Sequence, residues 1–203
     1  SGSTLPVAND ATVDYAISAT STARATQDYT FSSGTATIAS GSASTATVSI
    51  PVTILNDVVD EDNQTVVVAL SNPTNCAVGT NTTFTITITD NDNAPTIEFT
   101  AASSSGAEAT SSVSLTVALS DTSEKDISVD YTADGSSTAT GSGTDYTLAA
   151  SSASISAGGS STTIPITISG DSMDEENETI IINLDATPTN ATRGASYPSH
   201  TYT

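Results

Sequence analysis

The sequence predicts an all-β chain built of two tandem antiparallel β-sandwiches. Short runs alternate apolar and polar residues and are bounded by Gly, Asn and Asp, which is typical of half-buried strands. No stretch combines an N-cap with the 3.6-residue period of a helix. The chain also repeats itself once, and its 203 residues leave room for two domains of about 100 residues each.

The repeat is clearest in an acidic segment. Asp57–Asp62 (DVVDED) recurs 114 residues later as Asp171–Glu176 (DSMDEE). Each copy follows a Pro-x-Thr-Ile motif, at Pro51–Ile54 and Pro165–Ile168, and precedes a strand ending in Leu. A repeat of this length is a whole domain rather than a solenoid turn. We therefore predict one domain over residues 1–93 and a second over residues 94–203.

The two copies are unequal in their predicted strands. The strands that alternation predicts most clearly are Thr45–Ile54, Thr83–Thr89, Thr96–Thr100, Ser112–Leu119 and Ile164–Ile168. Thr96–Thr100 and Ser112–Leu119 open the second copy, whereas the first copy has only Leu5–Ala8 before Asp14-Tyr15 and so lacks its first strand and most of its second. The last strand of the second copy is truncated. We expect a chain cut from a longer array, with neighbouring repeats or other subunits completing the terminal strands.

Charge narrows the range of partners. The chain carries 23 acidic and three basic residues, for a net charge of −20. This balance argues against nucleic acid, which needs clustered cations, and against an anionic membrane surface. There is no apolar run of about 18 residues, so we expect no direct membrane insertion. Such acidity suits a saline or calcium-rich exterior, so we expect an extracellular or cell-surface location.

An ordered series of motifs occurs twice. In the second copy it is Gly143-Thr144-Asp145-Tyr146, Gly158-Gly159, Asp171, Asp174–Glu178 and Leu184. In the first copy it is Gln27-Asp28-Tyr29, Gly41, Asp57, Asp60–Gln64, Leu70 and Asp90-Asn91-Asp92. The series resembles the Calx-beta family, the calcium-binding sandwich of sodium–calcium exchangers and of long bacterial surface proteins. The resemblance implies immunoglobulin-like sandwiches that bind Ca²⁺ in the loops at one end.

The resemblance also implies a set of metal ligands. In the second copy these are Asp145, Asp171, Glu175 and Glu178, with Glu108 as the candidate for an early glutamate; in the first they are Asp28, Asp57 and Glu61, with Asp90 and Asp92 at the domain junction. Ca²⁺ takes six to eight oxygen ligands, and neighbouring carboxylates repel each other unless a cation neutralises them. The first copy departs from the pattern because Gln64 stands where the second has Glu178. The competing interpretation is that all these residues are solvated turn residues.

The sequence does not favour an enzyme. His200 is the single histidine and has no partner spacing for a triad or a zinc site, so we expect it at the surface or a strand edge. Cys76 is the single cysteine and is expected to be a small core residue. Paired carboxylates could serve a glycosidase, but the chain has no tryptophan for a sugar platform.

These observations predict a non-enzymatic, calcium-binding extracellular module that serves as a rigid spacer or adhesive stalk in a tandem-repeat microbial surface protein. Its partners would be further repeats of the same protein. One alternative is a subunit of an extracellular fibre or sheath, a homo-oligomer or filament assembled by strand complementation. Another is a regulatory calcium sensor, which needs an attached effector domain.

Overall fold

The computed structural model describes residues 6–148, 151–172 and 175–203, and this part of the chain contains strands and loops without a helix. The predicted all-β class is thereby confirmed. Within the described ranges there is also no helix with the length and apolar character needed to cross a membrane. The chain divides into two compact units: unit 1 is Ser1–Val58 with Asp62–Asp90, and unit 2 is Val59–Glu61 with Asn91–Thr203.

Unit 1 contains six described strands. They are β1 (Ala11–Ile17), β2 (Tyr29–Thr30), β3 (Gly34–Ile38), β4 (Thr53–Ile54), β5 (Gln64–Thr74) and β6 (Thr83–Ile88). An antiparallel four-stranded sheet has the order β3-β1-β5-β6, and β2 pairs with β4 in a two-stranded sheet. The predicted strand Thr83–Thr89 is confirmed as β6.

Unit 2 contains ten described strands. They are β7 (Thr96–Phe99), β8 (Ser103–Ser104), β9 (Ser112–Leu119), β10 (Ile127–Ala133), β11 (Tyr146–Leu148), β12 (Ser152–Ile155), β13 (Ser161–Ile168), β14 (Ile180–Leu184), β15 (Thr192–Arg193) and β16 (Ser199–Tyr202). They form two five-stranded sheets, with the orders β12-β10-β14-β16-β8 and β11-β13-β9-β7-β15. Only the short edge strands β8 and β15 pair in parallel with their neighbours.

The core of unit 2 lies between its two sheets. Successive side chains of each strand point to opposite faces of its sheet, so each sheet has one inner face. The two inner faces meet in one apolar cluster. Val117 and Ile164 in one sheet and Ile182 in the other are fully buried. Unit 1 has a smaller buried cluster of Ala23, Tyr29 and Val66. The core of unit 1 is therefore much smaller than the core of unit 2.

The predicted strand Thr45–Ile54 is only partly correct, because residues 45–52 form no strand. Their repeat counterpart, β13, pairs with β9 over seven residue pairs and with β11 on its other side. None of the strands described in unit 1 occupies the place of β9. Alternation in sequence shows which side chains would face a core, but a ladder also needs a neighbouring backbone.

The predictions for His200 and Cys76 were both wrong. His200 is 5% exposed and lies in β16, where its Nδ1 is 2.7 Å from the carbonyl oxygen of Ala101 and its Nε2 is 2.8 Å from Ser104 Oγ. Both ring nitrogens are hydrogen-bonded, so the imidazole is a satisfied buried group. Cys76 is exposed and does not belong to the core.

Truncating a core side chain tests the unit 2 sandwich. Ile182→Ala should lower the free energy of unfolding of unit 2 by about 2–5 kcal/mol, because it removes buried methyl groups and leaves a cavity. Ile182→Val, the matched control, should cost about 0.5–1.5 kcal/mol. Urea unfolding measures both values. If Ile182→Ala costs no more than Ile182→Val, the placement of this side chain in the core is wrong.

Candidate metal centre

In unit 2, the loops at four strand ends gather the predicted carboxylates at one end of the sandwich. Asp145 immediately precedes β11, and Asp171 follows the end of β13. The backbone pairs Tyr146 with Ile168, so these two ends are neighbours. Glu178 lies just before β14, and Glu108 lies in the loop before β9. Strand pairing therefore brings together side chains that are far apart in sequence.

These loops enclose a pocket of about 150 Å³. Its carboxylate lining consists of Glu108, Asp145, Glu175, Glu176 and Glu178. Its apolar lining includes Ile168, Ile180 and Tyr202, which belong to the strands below the loops. The pocket thus brings carboxylates together with side chains of the strand ends.

Backbone hydrogen bonds hold the loops of this pocket together. The Asp171 N–H donates to Glu108 Oε1 at 2.9 Å, and the Ser169 N–H donates to the carbonyl oxygen of Asp145 at 2.8 Å. A Cβ at Gly170 would lie 3.1 Å from the carbonyl oxygen of Glu108, so glycine permits this close approach. Glu108, a candidate from a separate loop, is therefore brought to the acidic turn.

The pocket is electrostatically unfavourable for its own carboxylates. Partial loss of hydration, followed by the charges of Asp171, Asp145 and Glu108, raises the pKa of Glu175. Loss of hydration, then the charge of Asp145 and a hydrogen bond to it, raises the pKa of Glu178, with smaller effects of Glu175 and Glu108. A bound cation would favour the ionised forms of all these groups.

In the first repeat, the structure brings together Asp28, Asp57 and Glu61. Each offers a carboxylate oxygen, and the three oxygens lie within 4.8 Å of one another. Asp28 is 4% exposed; its side chain accepts a hydrogen bond from the Arg24 N–H, and its carbonyl oxygen accepts one from the Leu55 N–H at 2.9 Å. Three converging anionic oxygens are the donor set that a hard divalent cation prefers.

Gln64 supplies an independent test of whether a cation fits the first repeat. Its Oε1 is buried and has no hydrogen-bond partner among the described residues. Leaving such an acceptor unsatisfied costs about 1–3 kcal/mol. Gln64 is the repeat counterpart of Glu178, which lines the pocket of unit 2. An amide carbonyl oxygen is also a Ca²⁺ ligand, so the residues present fit this ion.

The other candidates are less closely grouped. Asp90 and Asp92 are half-buried and follow β6, and the Asp90 N–H donates to Asn63 Oδ1 at 3.0 Å. Neither belongs to the three-oxygen group of Asp28, Asp57 and Glu61. Among the described carboxylates of unit 2, no three oxygens lie within 4.8 Å of one another. Asp174, part of the acidic motif, lies outside the described residues.

Two acidic-turn residues have roles that the sequence did not distinguish. Glu176 lines the pocket of unit 2 beside the predicted ligands. Asp60 is buried within unit 2, where Lys125 Nζ lies 2.7 Å from its Oδ1 and Ser123 Oγ donates to its Oδ2 at 2.8 Å. The scarcity of basic residues is the only sequence signal that could have pointed to Lys125 as a partner.

Three crystal structures resemble this chain, although their TM-scores are below 0.5. The structure of CBD12 from CALX1.2 has 17% identity and a TM-score of 0.48, with 97% of this chain and 88% of that chain covered. The structure of the calcium-binding domain CBD12 of CALX1.1 has 19% identity and a TM-score of 0.41, with 94% and 71% covered. The apo-form Calx CBD1 domain has 17% identity and a TM-score of 0.46, with 53% and 95% covered. A comparison with curated proteins finds no match.

The family assignment rests on sequence. The model of the Calx-beta domain matches residues 4–92 and again residues 90–202, which together span nearly the whole chain. Domains of this family are calcium-binding regulatory or structural modules. The chain belongs to the Calx-beta domain family and carries two copies of the domain.

Proposed function

We propose that this chain is a non-enzymatic, calcium-binding extracellular module that acts as a rigid spacer in a tandem-repeat surface protein. The observation that carries the proposal is the convergence of carboxylate oxygens from Asp28, Asp57 and Glu61 within 4.8 Å of one another. Their counterparts Asp145, Asp171 and Glu175 gather at one end of unit 2.

The two sites differ in charge, which sets their expected affinities. In the first repeat, Asp28, Asp57 and Glu61 would hold the ion, with the Gln64 Oε1 as a neutral ligand. In the second, Asp145, Asp171, Glu175, Glu178 and Glu108 would do so. More carboxylates raise the attraction for Ca²⁺, so the second site should be the tighter one. The ion would supply charge neutralisation, which permits loops rich in carboxylates to remain together.

The spacer role is supported by the connection that follows β6. Asp90-Asn91-Asp92 is followed directly by Asn93-Ala94-Pro95, and β7 begins at Thr96. Pro95 restricts Ala94 to extended backbone, which limits the freedom of this short connection. A cation held by Asp90 and Asp92 would remove the repulsion between these two carboxylates. The net charge of −20 also suits a calcium-rich exterior.

Calcium should raise the thermal stability of the chain, because an ion that binds only the folded state stabilises it by mass action. At a concentration one hundred times the dissociation constant, one site contributes about 2.7 kcal/mol. Differential scanning calorimetry in chelator and in millimolar CaCl₂ measures the change. Magnesium at the same concentration is the control and should have a smaller effect. If the chain melts at the same temperature in chelator and in calcium, the proposal that it binds calcium is wrong.

Glu178→Gln should have opposite effects with and without calcium. A carboxyl whose folded pKa is raised above its ordinary value of 4.5 destabilises the folded state as pH rises past that value. At neutral pH in chelator the variant should therefore melt at a higher temperature than the parent. In calcium its affinity should fall about tenfold, equivalent to roughly 1.4 kcal/mol. Gln64→Glu should strengthen calcium binding in the first repeat.

Asp121→Asn is the matched charge control for Glu178→Gln. Asp121 is exposed and follows the end of β9 remote from Ser112, the residue that pairs with Thr167 near the site. Asp121→Asn should leave the calcium affinity unchanged. Unlike Glu178→Gln, it should not have opposite effects on stability in chelator and in calcium. Glu178 is not a ligand if calorimetry finds the same calcium affinity for Glu178→Gln, Asp121→Asn and the parent.

Calcium should also extend the chain in solution. Small-angle scattering should show a larger maximum dimension and a narrower range of conformations in calcium than in chelator, because a bound cation would neutralise the repelling carboxylates of the Asp90–Pro95 connection. Asp90→Asn combined with Asp92→Asn should abolish this response. Asp121→Asn should preserve it. If the parent chain gives the same scattering in both conditions, calcium does not stiffen the array.

A further inference from the structure

In unit 2, Gly170 is a glycine that space, rather than backbone conformation, requires. Its φ lies outside the left-handed region that favours glycine. A Cβ at Gly170 would lie 3.1 Å from the carbonyl oxygen of Glu108, 3.6 Å from its carbonyl carbon and 3.7 Å from its Cγ. The nearest atoms beyond its neighbours in the chain thus all belong to Glu108. The missing side chain leaves room for this one residue.

The contact with Gly170 brings a carboxylate from a separate loop to the acidic turn. Glu108 precedes β9, whereas Gly170 and Asp171 follow β13. The Asp171 N–H donates to Glu108 Oε1 at 2.9 Å. Loss of hydration is the largest cause that raises the pKa of Glu178, and the charge of Glu108 is among the smaller ones. Glu108 therefore faces the other carboxylates of the pocket, and its distance from them depends on how closely it approaches Gly170.

The first repeat shows that the acidic turn itself does not require glycine at this position. Asn56 stands at the place of Gly170, since Asp57 matches Asp171. The Asn56 Nδ2 donates to the carbonyl oxygen of Asp57 at 2.9 Å. A residue with a Cβ is thus compatible with the backbone of this turn. The approach of Glu108, and not the turn, explains the glycine in unit 2.

The same pocket contains a polar group that favours a hydrated ligand, independently of the carboxylates. Tyr202 lines the pocket and is 7% exposed, and its hydroxyl has no hydrogen-bond partner among the described residues. A buried donor without an acceptor is unfavourable. A water molecule that accompanies a bound cation would give this hydroxyl a partner.

The space at position 170 has the same scale as the difference in size between cations. A Cβ at Gly170 would displace Glu108 by a few tenths of an ångström. Bonds from oxygen ligands to Ca²⁺ are about 2.3–2.6 Å long, and bonds to Mg²⁺ are about 2.0–2.1 Å long. The two ions therefore also differ by a few tenths of an ångström. Selectivity among such ions depends on cavity size and ligand number, so the position of Glu108 affects which ion fits.

We propose that Gly170 is a specificity-determining residue of the unit 2 site, because it admits Glu108 and thereby sets the size of the cation that the site prefers. This inference rests on the proposed calcium binding. With glycine at position 170, Glu108 closes the site around Ca²⁺. With a larger residue, Glu108 moves outward, the site widens, and its preference shifts toward a larger ion of the same charge, such as Sr²⁺.

Isothermal titration calorimetry of the full chain with CaCl₂ and with SrCl₂ tests the proposal. The parent and all variants carry Asp57→Asn, which weakens the first-repeat site so that the unit 2 site is measured. Gly170→Ala should lower the Ca²⁺ affinity about fivefold and the Sr²⁺ affinity less, so that their ratio shifts about threefold toward Sr²⁺. Gly170→Asn, which copies Asn56, should shift the ratio in the same direction.

Gly135→Ala is the matched control. Gly135 is exposed, its φ also lies outside the left-handed region, and a Cβ there would meet nothing within 4 Å. Gly135→Ala should leave both affinities unchanged. Circular dichroism in chelator should be the same for the parent and for the variants at both glycines.

A double-mutant cycle separates an effect through Glu108 from general damage to the turn. In a chain with Glu108→Ala, Gly170→Ala should lower the Ca²⁺ affinity no further, because the carboxylate that it displaces is absent. The proposal is wrong if the two losses add, or if Gly170→Ala and Gly135→Ala have the same ratio of Ca²⁺ to Sr²⁺ affinity. Those results leave calcium binding by the parent intact and overturn this inference alone. A parent that binds neither ion overturns the proposed function as well.

Discussion

Repulsion among carboxylates, opposed by strand pairing, is the constraint on which the acidic end of unit 2 depends. Strand pairing fixes where each loop leaves its sheet, as Tyr146 opposite Ile168 does in unit 2. The loops therefore cannot move their carboxylates far apart without giving up ladder hydrogen bonds. Loss of hydration, followed by the charges of the neighbouring carboxylates, raises the pKa values of Glu175 and Glu178. A cation resolves this conflict by making the ionised, gathered state favourable.

The contrast between the two units comes from the same requirement for neighbouring strands. β13 is a full strand because β9 and β11 flank it. The matching sequence in unit 1 has the same alternation, yet only Thr53–Ile54 is a strand.

Much of this arrangement could be predicted from sequence because it depends on local pattern. Ser112–Leu119 alternates without interruption and is observed as β9 with the same limits. The resemblance to the Calx-beta family implied Asp28, Asp57 and Glu61 as ligands, and the structure brings these three together. The burial of a side chain that depends on tertiary contacts could not be predicted in this way. His200 is buried because Ala101 and Ser104 satisfy its ring nitrogens, and nothing in its local sequence shows this.

The central claim is that the gathered carboxylates hold calcium, and anomalous X-ray scattering from crystals grown in CaCl₂ tests it most directly. The account predicts an anomalous peak within ligand distance of Asp28, Asp57 and Glu61, about 2.3–2.6 Å from their oxygens. It predicts a second peak among Asp145, Asp171, Glu175 and Glu178. Crystals in saturating calcium with no peak at either cluster, and with the carboxylates still gathered, would contradict the account.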